Sequence, residues 1–374
     1  METTCLIHHL PQDSLHQIFS SLSIREILIC RSLSKFFNQI LTSSSFINLL
    51  SLKPPLNLIA LRPSHHHHHH HNHHHRVTVS SPHSYLHVYD SDLNQWMKFA
   101  FDFIPFRSPI PVASSGGIVY LWVDSPDSGK SLVLCNPLTR KFQVLPGLGS
   151  AWSRHGTVLV GPVDRVLVLT ELACLYFNGI GDSWQKFSSN LVSKPRSPIL
   201  VFDSLFALCD VGSPWRRQWK LFSCTLTELE KSQGWKRLEK HEWGDIFDIL
   251  KRPRLIRGNG NRILMVGGLK SSFSLNASCS TILLLRLDLE TLEWDEVGRM
   301  PTDMFKSFQE SSKFKVFGGG DRVCFSGKRI GRLAMWNYSI KAGKGEWRWV
   351  DGIPGNGDGL YRGFEYDARF TSAP

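Results

Sequence analysis

By residue type alone, the histidines of this chain are the side chains best suited to chemistry, and ten of the 17 lie in one run, "SHHHHHHHNHHHR" (64–76). Imidazoles at that density could ligate zinc, nickel or copper. No Cys or carboxylate ligand stands beside the run, and its composition is that of a low-complexity surface insertion. Its internal position and the break at Asn72 argue against an appended tag. A second stretch, "DSPDSGKS" (124–131), ends like a phosphate-binding loop. It lacks the first glycine, and "LVLC" reads as a strand where a helix must present its N-terminus. A hairpin turn is expected there, and "GNGNR" (258–262) and "GNGDG" (355–359) read as loops between strands. Beyond residue 54 and outside the run, only His83, His87, His155 and His241 remain, in unrelated segments. No acid/base pair, nucleophile or metal set can be assembled from them. The expectation is a protein with no catalytic residues, no metal site and no cofactor.

The eight cysteines are Cys5, Cys30, Cys135, Cys174, Cys209, Cys224, Cys279 and Cys324, with no C-x-x-C pair. Zinc sites need clustered ligands, and disulfide frameworks belong to oxidising compartments. Several sit in apolar strand-like runs, so buried and reduced is the expectation. No apolar run reaches membrane-spanning length, and the first residues lack a secretory pattern. Nucleus or cytoplasm is therefore the expected location. Net charge is +11, of which the first 53 residues supply +1. An excess of that size is either a solubilising surface or an attraction for an acidic partner; nucleic acid is not the expected ligand. Basic residues are dispersed except at Arg216-Arg217 and at Lys251, Arg252, Arg254 and Arg257.

The elements that would position any site fall into two unlike parts. Leu15, Ile18, Phe19 and Leu22 form one apolar helical stripe behind Pro11, whose fixed φ suits a helix start. Ser23-Ile24-Arg25-Glu26 is a capping box opening a second helix with Ile24, Ile27 and Leu28 inward. A third helix carries Phe36, Phe37, Ile40 and Leu41 before the polar break Thr42-Ser43-Ser44-Ser45. Three short helices bury little surface alone and would be steadier with a partner.

This segment resembles an F-box: Leu10-Pro11, Asp13, Ile18-Phe19, Leu22, Arg31, Lys35, Phe37 and Phe46 keep the family's order and spacing. Leu33-Ser34 stands where Val-Cys is usual, and Phe37 where Trp is common. The resemblance implies a Skp-type adaptor as partner and, through it, a cullin–RING ubiquitin ligase. It places adaptor contacts at Leu10, Pro11, Leu15, Ile18, Phe19, Leu22 and Ile27.

From Leu56 onward a unit recurs, with strands ending in Asp or Asn, a short turn, and an aromatic opening the last strand. "SYLHVYDSDLNQWMKF" (84–99), "SLVLCNPLTRKFQVL" (131–145), "ACLYFNGIGDSWQKF" (173–187) and "ILLLRLDLETLEWDEV" (282–297) show it best. The marker aromatics Trp96, Phe142, Trp184, Trp235, Trp294 and Trp347 are 42 to 59 residues apart. Four strands at such a period predict a propeller of about six blades, each aromatic packing between neighbouring sheets. "RILMVGG" (262–268) resembles the kelch diglycine strand, its glycines letting backbone pass close in the crowded centre. Blade 1 is short of a strand, and "LYRGFEYDARF" (360–370) is expected to donate it, closing the ring.

The fold class expected is therefore α+β and multidomain: a three-helix F-box over 1–53, then a mainly-β kelch-type propeller over 54–374 with the histidine run (65–75) in a loop. The whole resembles the plant F-box/kelch proteins, the Skp-interacting partner fifteen group among them. That implies a substrate-recognition subunit of an SCF-type ubiquitin ligase holding an unidentified protein substrate. The alternative is an F-box scaffold acting outside the ligase through its basic propeller.

Overall fold

The computed structural model describes the chain except residues 1–5, 63–84, 108, 126–128, 162–164, 180–182, 214, 232–233, 273–277, 310–313, 340–341 and 356–358. The histidine run, His83 and Cys5 thus lie outside the described residues, as does part of "GNGDG". Four α-helices come first: α1 (Gln12–Ser21), α2 (Ile24–Leu33), α3 (Lys35–Leu41) and α4 (Ser44–Leu49). The capping box forms as read. The Glu26 N–H donates to the Ser23 hydroxyl at 3.3 Å, and the Ser23 N–H donates to the Glu26 carboxylate at 2.7 Å. The expected count of three helices is corrected to four. The serine run after α3 is a cap rather than a break, because the Ser43 hydroxyl accepts the Phe46 N–H at 3.3 Å and starts another helix.

Six four-stranded antiparallel sheets follow as the blades of a propeller. Five are built from consecutive strands. Blade 1 is completed from the far end of the chain: Arg362–Ala368 pairs along its whole length with Leu56–Arg62, from Arg362↔Arg62 to Ala368↔Leu56. The predicted closing strand is there. Its Glu365 reaches Arg322 of blade 6 at 3.3 Å.

The innermost strands are Arg362–Ala368, Ile110–Ser115, Thr157–Val160, Arg196–Val201, Leu250–Arg257 and Phe314–Gly319, for blades 1 to 6. Each touches the next around a central channel that holds a cavity of about 630 Å³. They run the same way. At their C-terminal ends the Gly320 N–H donates to Arg257 O at 2.9 Å, and the Ser115 hydroxyl donates to Gly161 O at 3.2 Å. The channel therefore has an upper rim, where the inner strands begin, and a lower rim, where they end.

The recurring turn is physical as well as textual. Asp90, Asn136 and Asp288 each end a third strand, and their side-chain oxygens accept backbone N–H groups two residues on, at 2.9 to 3.0 Å. Four residues beyond each, Asn94, Arg140 and Leu292 adopt φ of 55°, 60° and 58°, the same left-handed corner in three blades. Trp184, Trp235, Trp294 and Trp347 join apolar clusters that bridge successive blades, and Trp96 joins the one between blades 6 and 1. The Trp96 indole N–H donates to Asp351 O at 2.8 Å, and that of Trp184 to Pro146 O at 2.9 Å. Phe142 departs from this role. It is partly exposed, with its ring 6.5 Å from that of Phe103.

The kelch glycines are corrected in position. Gly267 and Gly268 lie in the second strand of blade 5, where added Cβ atoms would meet Leu250 Cβ at 3.0 Å and Cys279 Sγ at 2.5 Å. Glycines do line the channel, but they are others, Gly318, Gly319, Gly320 and Gly363 among them. Within "DSPDSGKS", residues 126–128 lie outside the described residues, but the strands on either side, Ile118–Ser125 and Gly129–Asn136, pair antiparallel, so a strand follows Gly129 where a phosphate loop needs a helix.

Candidate functional site

The helical head divides the seven candidate contact residues by burial. Leu15, Phe19 and Ile27 are 1%, 4% and 0% exposed and form the core of the head. Leu10 and Ile18 are 41% and 47% exposed, Pro11 is exposed, and Leu22 is half-buried. One stripe on α1 thus serves two surfaces. Leu15 and Phe19 face inward, and Ile18, one position before Phe19, is turned outward by the 100° step of the helix. Ile29 and Leu33 of α2, Leu49 of α4 and Leu52 are also exposed and were not singled out in the sequence. The signal was present for α2: Ile29 and Leu33 are i, i+4 apart and cannot share the face of Ile24 and Ile27.

The head is not detached from the ring. Leu15, Phe19, Leu41 and Phe46 belong to one apolar cluster with Leu86 and Val88 of blade 1 and Val133 of blade 2. Two arginines of α2 extend this contact. Arg25 Nε donates to the carboxylate of the buried Asp90 at 2.6 Å. Arg31 donates to Leu138 O at 2.6 Å and lies over the Phe370 ring at 5.5 Å. Burial, and secondly the nearby Arg140, hold the Arg31 guanidinium below its ordinary value. Asp90 is paired in register with Leu58 and Phe370 follows the closing strand, so the head meets the ring on the lower-rim side. The upper rim is left on the other side.

In the channel, Glu365 is pushed above the usual carboxylate range by burial, with Arg322 pulling the other way. Gly319 leaves room for it: a Cβ there would lie 2.5 Å from a Glu365 oxygen. Arg322 also donates to Asn57 O at 2.9 Å, so this ion pair ties blade 6 to both inner strands of blade 1. Burial pushes the thiols of Cys174 and Cys324 up to about 12, and those of Cys209 and Cys224 to about 11. Such groups are inert packing. Among the described residues no group of three or more His, Cys, Asp or Glu could hold a metal ion. The arrangement offers surfaces for binding: an apolar one on the head, and the rims of a polar channel.

Comparison with known proteins agrees with this division. The F-box domain family matches residues 7–49, and the kelch motif family matches residues 253–301, which cover blade 5. SKP1-interacting partner 15 of Arabidopsis thaliana is 65% identical over 98% of this chain and 99% of its own length. Protein UNUSUAL FLORAL ORGANS, from the same plant, is 24% identical over 76% of this chain and 67% of its own.

Proposed function

The chain belongs to the F-box/kelch family of SKP1-interacting partner 15, and we propose from that premise that it is the substrate-recognition subunit of an SCF-type ubiquitin ligase. The carrying observation is an F-box that keeps Leu10, Pro11 and Ile18 in solvent although its own core is complete without them. The helical head docks on a Skp-type adaptor through these side chains, with Leu22 at their edge. The ring holds the protein to be modified. Its mechanism is proximity: a held target meets the charged ubiquitin carrier at a high effective concentration. The chemistry is the ligase's own. A location in nucleus or cytoplasm, where reduced buried thiols persist, fits this role.

The test is adaptor binding by the double variant Leu10→Ala/Ile18→Ala. Each side chain is about half exposed, so docking it stabilises the complex by about 1 kcal/mol, and the pair by about 2 kcal/mol, near thirtyfold in affinity. Helicity and melting temperature should match the parent, since neither residue serves the core. A folded double variant that binds adaptor as tightly as the parent removes this docking surface. Adaptor without cullin in the purified complex points to the scaffold alternative.

A further inference from the structure

The two basic clusters that stood out in the sequence are 35 residues apart, yet they meet at the upper rim. Arg217 lies in the loop after the second strand of blade 4, and Arg196 opens the inner strand of that blade. Arg252 and Arg254 lie early in the inner strand of blade 5. Across the channel mouth, Arg362 opens the closing strand and is paired in register with Arg62. Arg257, from the same sequence cluster, goes to the lower rim instead.

These guanidiniums feel one another. Burial first, then Arg254, Arg217 and Arg252, lower Arg196, and Asp210 opposes them. Arg254 is lowered by burial and then by Arg252 and Arg362, and Arg62 by burial and then by Arg362. Among the described residues, Arg62, Arg196, Arg217, Arg254 and Arg362 form no ion pair. Asp210 is occupied in accepting the Gly212 and Gln218 N–H groups at 3.1 and 2.9 Å. Arg196 is held over the Trp219 ring at 4.8 Å, and its Nε is buried without a hydrogen-bond partner. Beside the cluster, Trp215 is 89% exposed. Partly desolvated like charges that outnumber the nearby Asp210 weaken a fold, and a guanidinium fork matches a carboxylate with two parallel hydrogen bonds. Exposed Trp next to Arg is also the composition of a protein-binding hot spot.

We infer that the upper rim, across the channel mouth between blades 4, 5 and 1, binds a carboxylate-rich segment of a protein partner. This deepens the receptor reading and rests on it: the segment is the recognition element of the substrate, held on the face away from the helical head. A peptide fits better than a duplex. Arg62, Arg196 and Arg254 are recessed behind the exposed Arg217, Arg252 and Arg362, where a narrow chain can enter and a convex cylinder of phosphates cannot.

The experiment titrates the full chain into a labelled ten-residue Glu/Asp peptide, an equal-length Gln/Asn peptide and a labelled DNA duplex, following anisotropy. The acidic peptide should bind, more weakly as salt rises, and should raise the melting temperature. The Gln/Asn peptide should not. The variant Arg217→Glu/Arg252→Glu/Arg362→Glu changes only exposed side chains and should lose roughly tenfold or more in peptide affinity. Arg257→Glu at the lower rim should leave it unchanged. The inference is overturned by equal binding of both peptides, by a folded triple variant that binds like the parent, or by tighter binding of the duplex than of the acidic peptide. Adaptor binding, measured on the same samples, separates the two claims. Adaptor bound without peptide sinks only the rim, and peptide bound without adaptor sinks only the receptor reading.

Discussion

Two neighbours on α1, Ile18 and Phe19, show how much a single helical step decides. Phe19 packs edge-on to Phe37 with centroids 5.2 Å apart, and its removal leaves a cavity in a small core. Phe19→Ala should cost about 3–5 kcal/mol and Ile27→Ala about 2–5, read by denaturant unfolding of the head. Leu10→Ala should stay within about 0.5 kcal/mol. Equal losses at all three would mean that Leu10 is core. The cysteines give a second residue-scale prediction. At pH 8 the thiols pushed to 11 or 12 remain protonated, so among the described cysteines labelling of native protein should begin at the half-buried Cys30 and Cys279. Rapid labelling of Cys135, Cys174 or Cys324 would contradict their burial. Sequence periodicity shows which α1 residues are apolar and share a broad face. It does not show where the inward part of that face ends, because Leu15, Ile18, Phe19 and Leu22 look alike until the neighbouring helices and blades 1 and 2 are in place.

Between elements, signals written in adjacent residues were readable and signals that depend on distant packing were not. The Ser23/Glu26 capping box and the Asp and Asn turns are local hydrogen bonds, and they form where the residues stand. A serine run suits both a loop and an N-cap, and only Phe46 reaching the core makes Ser43 the cap of a helix. Phe142 carries the marker position of its blade without the inter-blade contact. The attachment of head to ring was also invisible, since Arg25 and Asp90 are 65 residues apart. That pair sets the prediction at this scale. Arg25→Met keeps most of the stem packing but leaves the Asp90 carboxylate, 1% exposed, without its cation. Removing one partner of a buried pair costs about 3 kcal/mol. Hydrogen exchange should quicken in α2 and in the turn after Asp90, while strands of blades 4 and 5 keep their protection. Uniform protection in the variant would mean that head and ring are joined by the apolar seam alone.

At the scale of the whole molecule, the ring stands or falls with one strand. The recurring unit made the blade count legible, and the shortage in blade 1 beside a surplus at the C-terminus made the closure legible too. What held that strand in place was not legible, because its partners are scattered. They are Leu56–Arg62 by register, Arg322 by charge, Ser114 of blade 2 donating to Glu365 O, and Asn136 donating to Arg369 O at 2.8 Å and Ser372 O at 2.7 Å. A chain ending at Leu360 loses all of these at once. It also loses the buried Tyr366 and Phe370, each worth about 2 kcal/mol of burial. The edge of Leu56–Arg62 is then bared, and bared edges pair with other chains. At a few degrees per kcal/mol in a domain of this size, the melting temperature should fall by about 10 °C or more, with concentration-dependent aggregation. The same cut removes Arg362 and the register that holds Arg62 opposite it, so acidic-peptide binding at the upper rim should weaken in step with the loss of closure. Supplying residues 359–374 as a separate peptide should restore both together, by refilling the vacant place in blade 1. Recovered stability without recovered binding would show that the rim does not depend on the closing strand. An unchanged melting temperature in the truncated chain would show that the other five blades and the three remaining strands of blade 1 hold the ring by themselves.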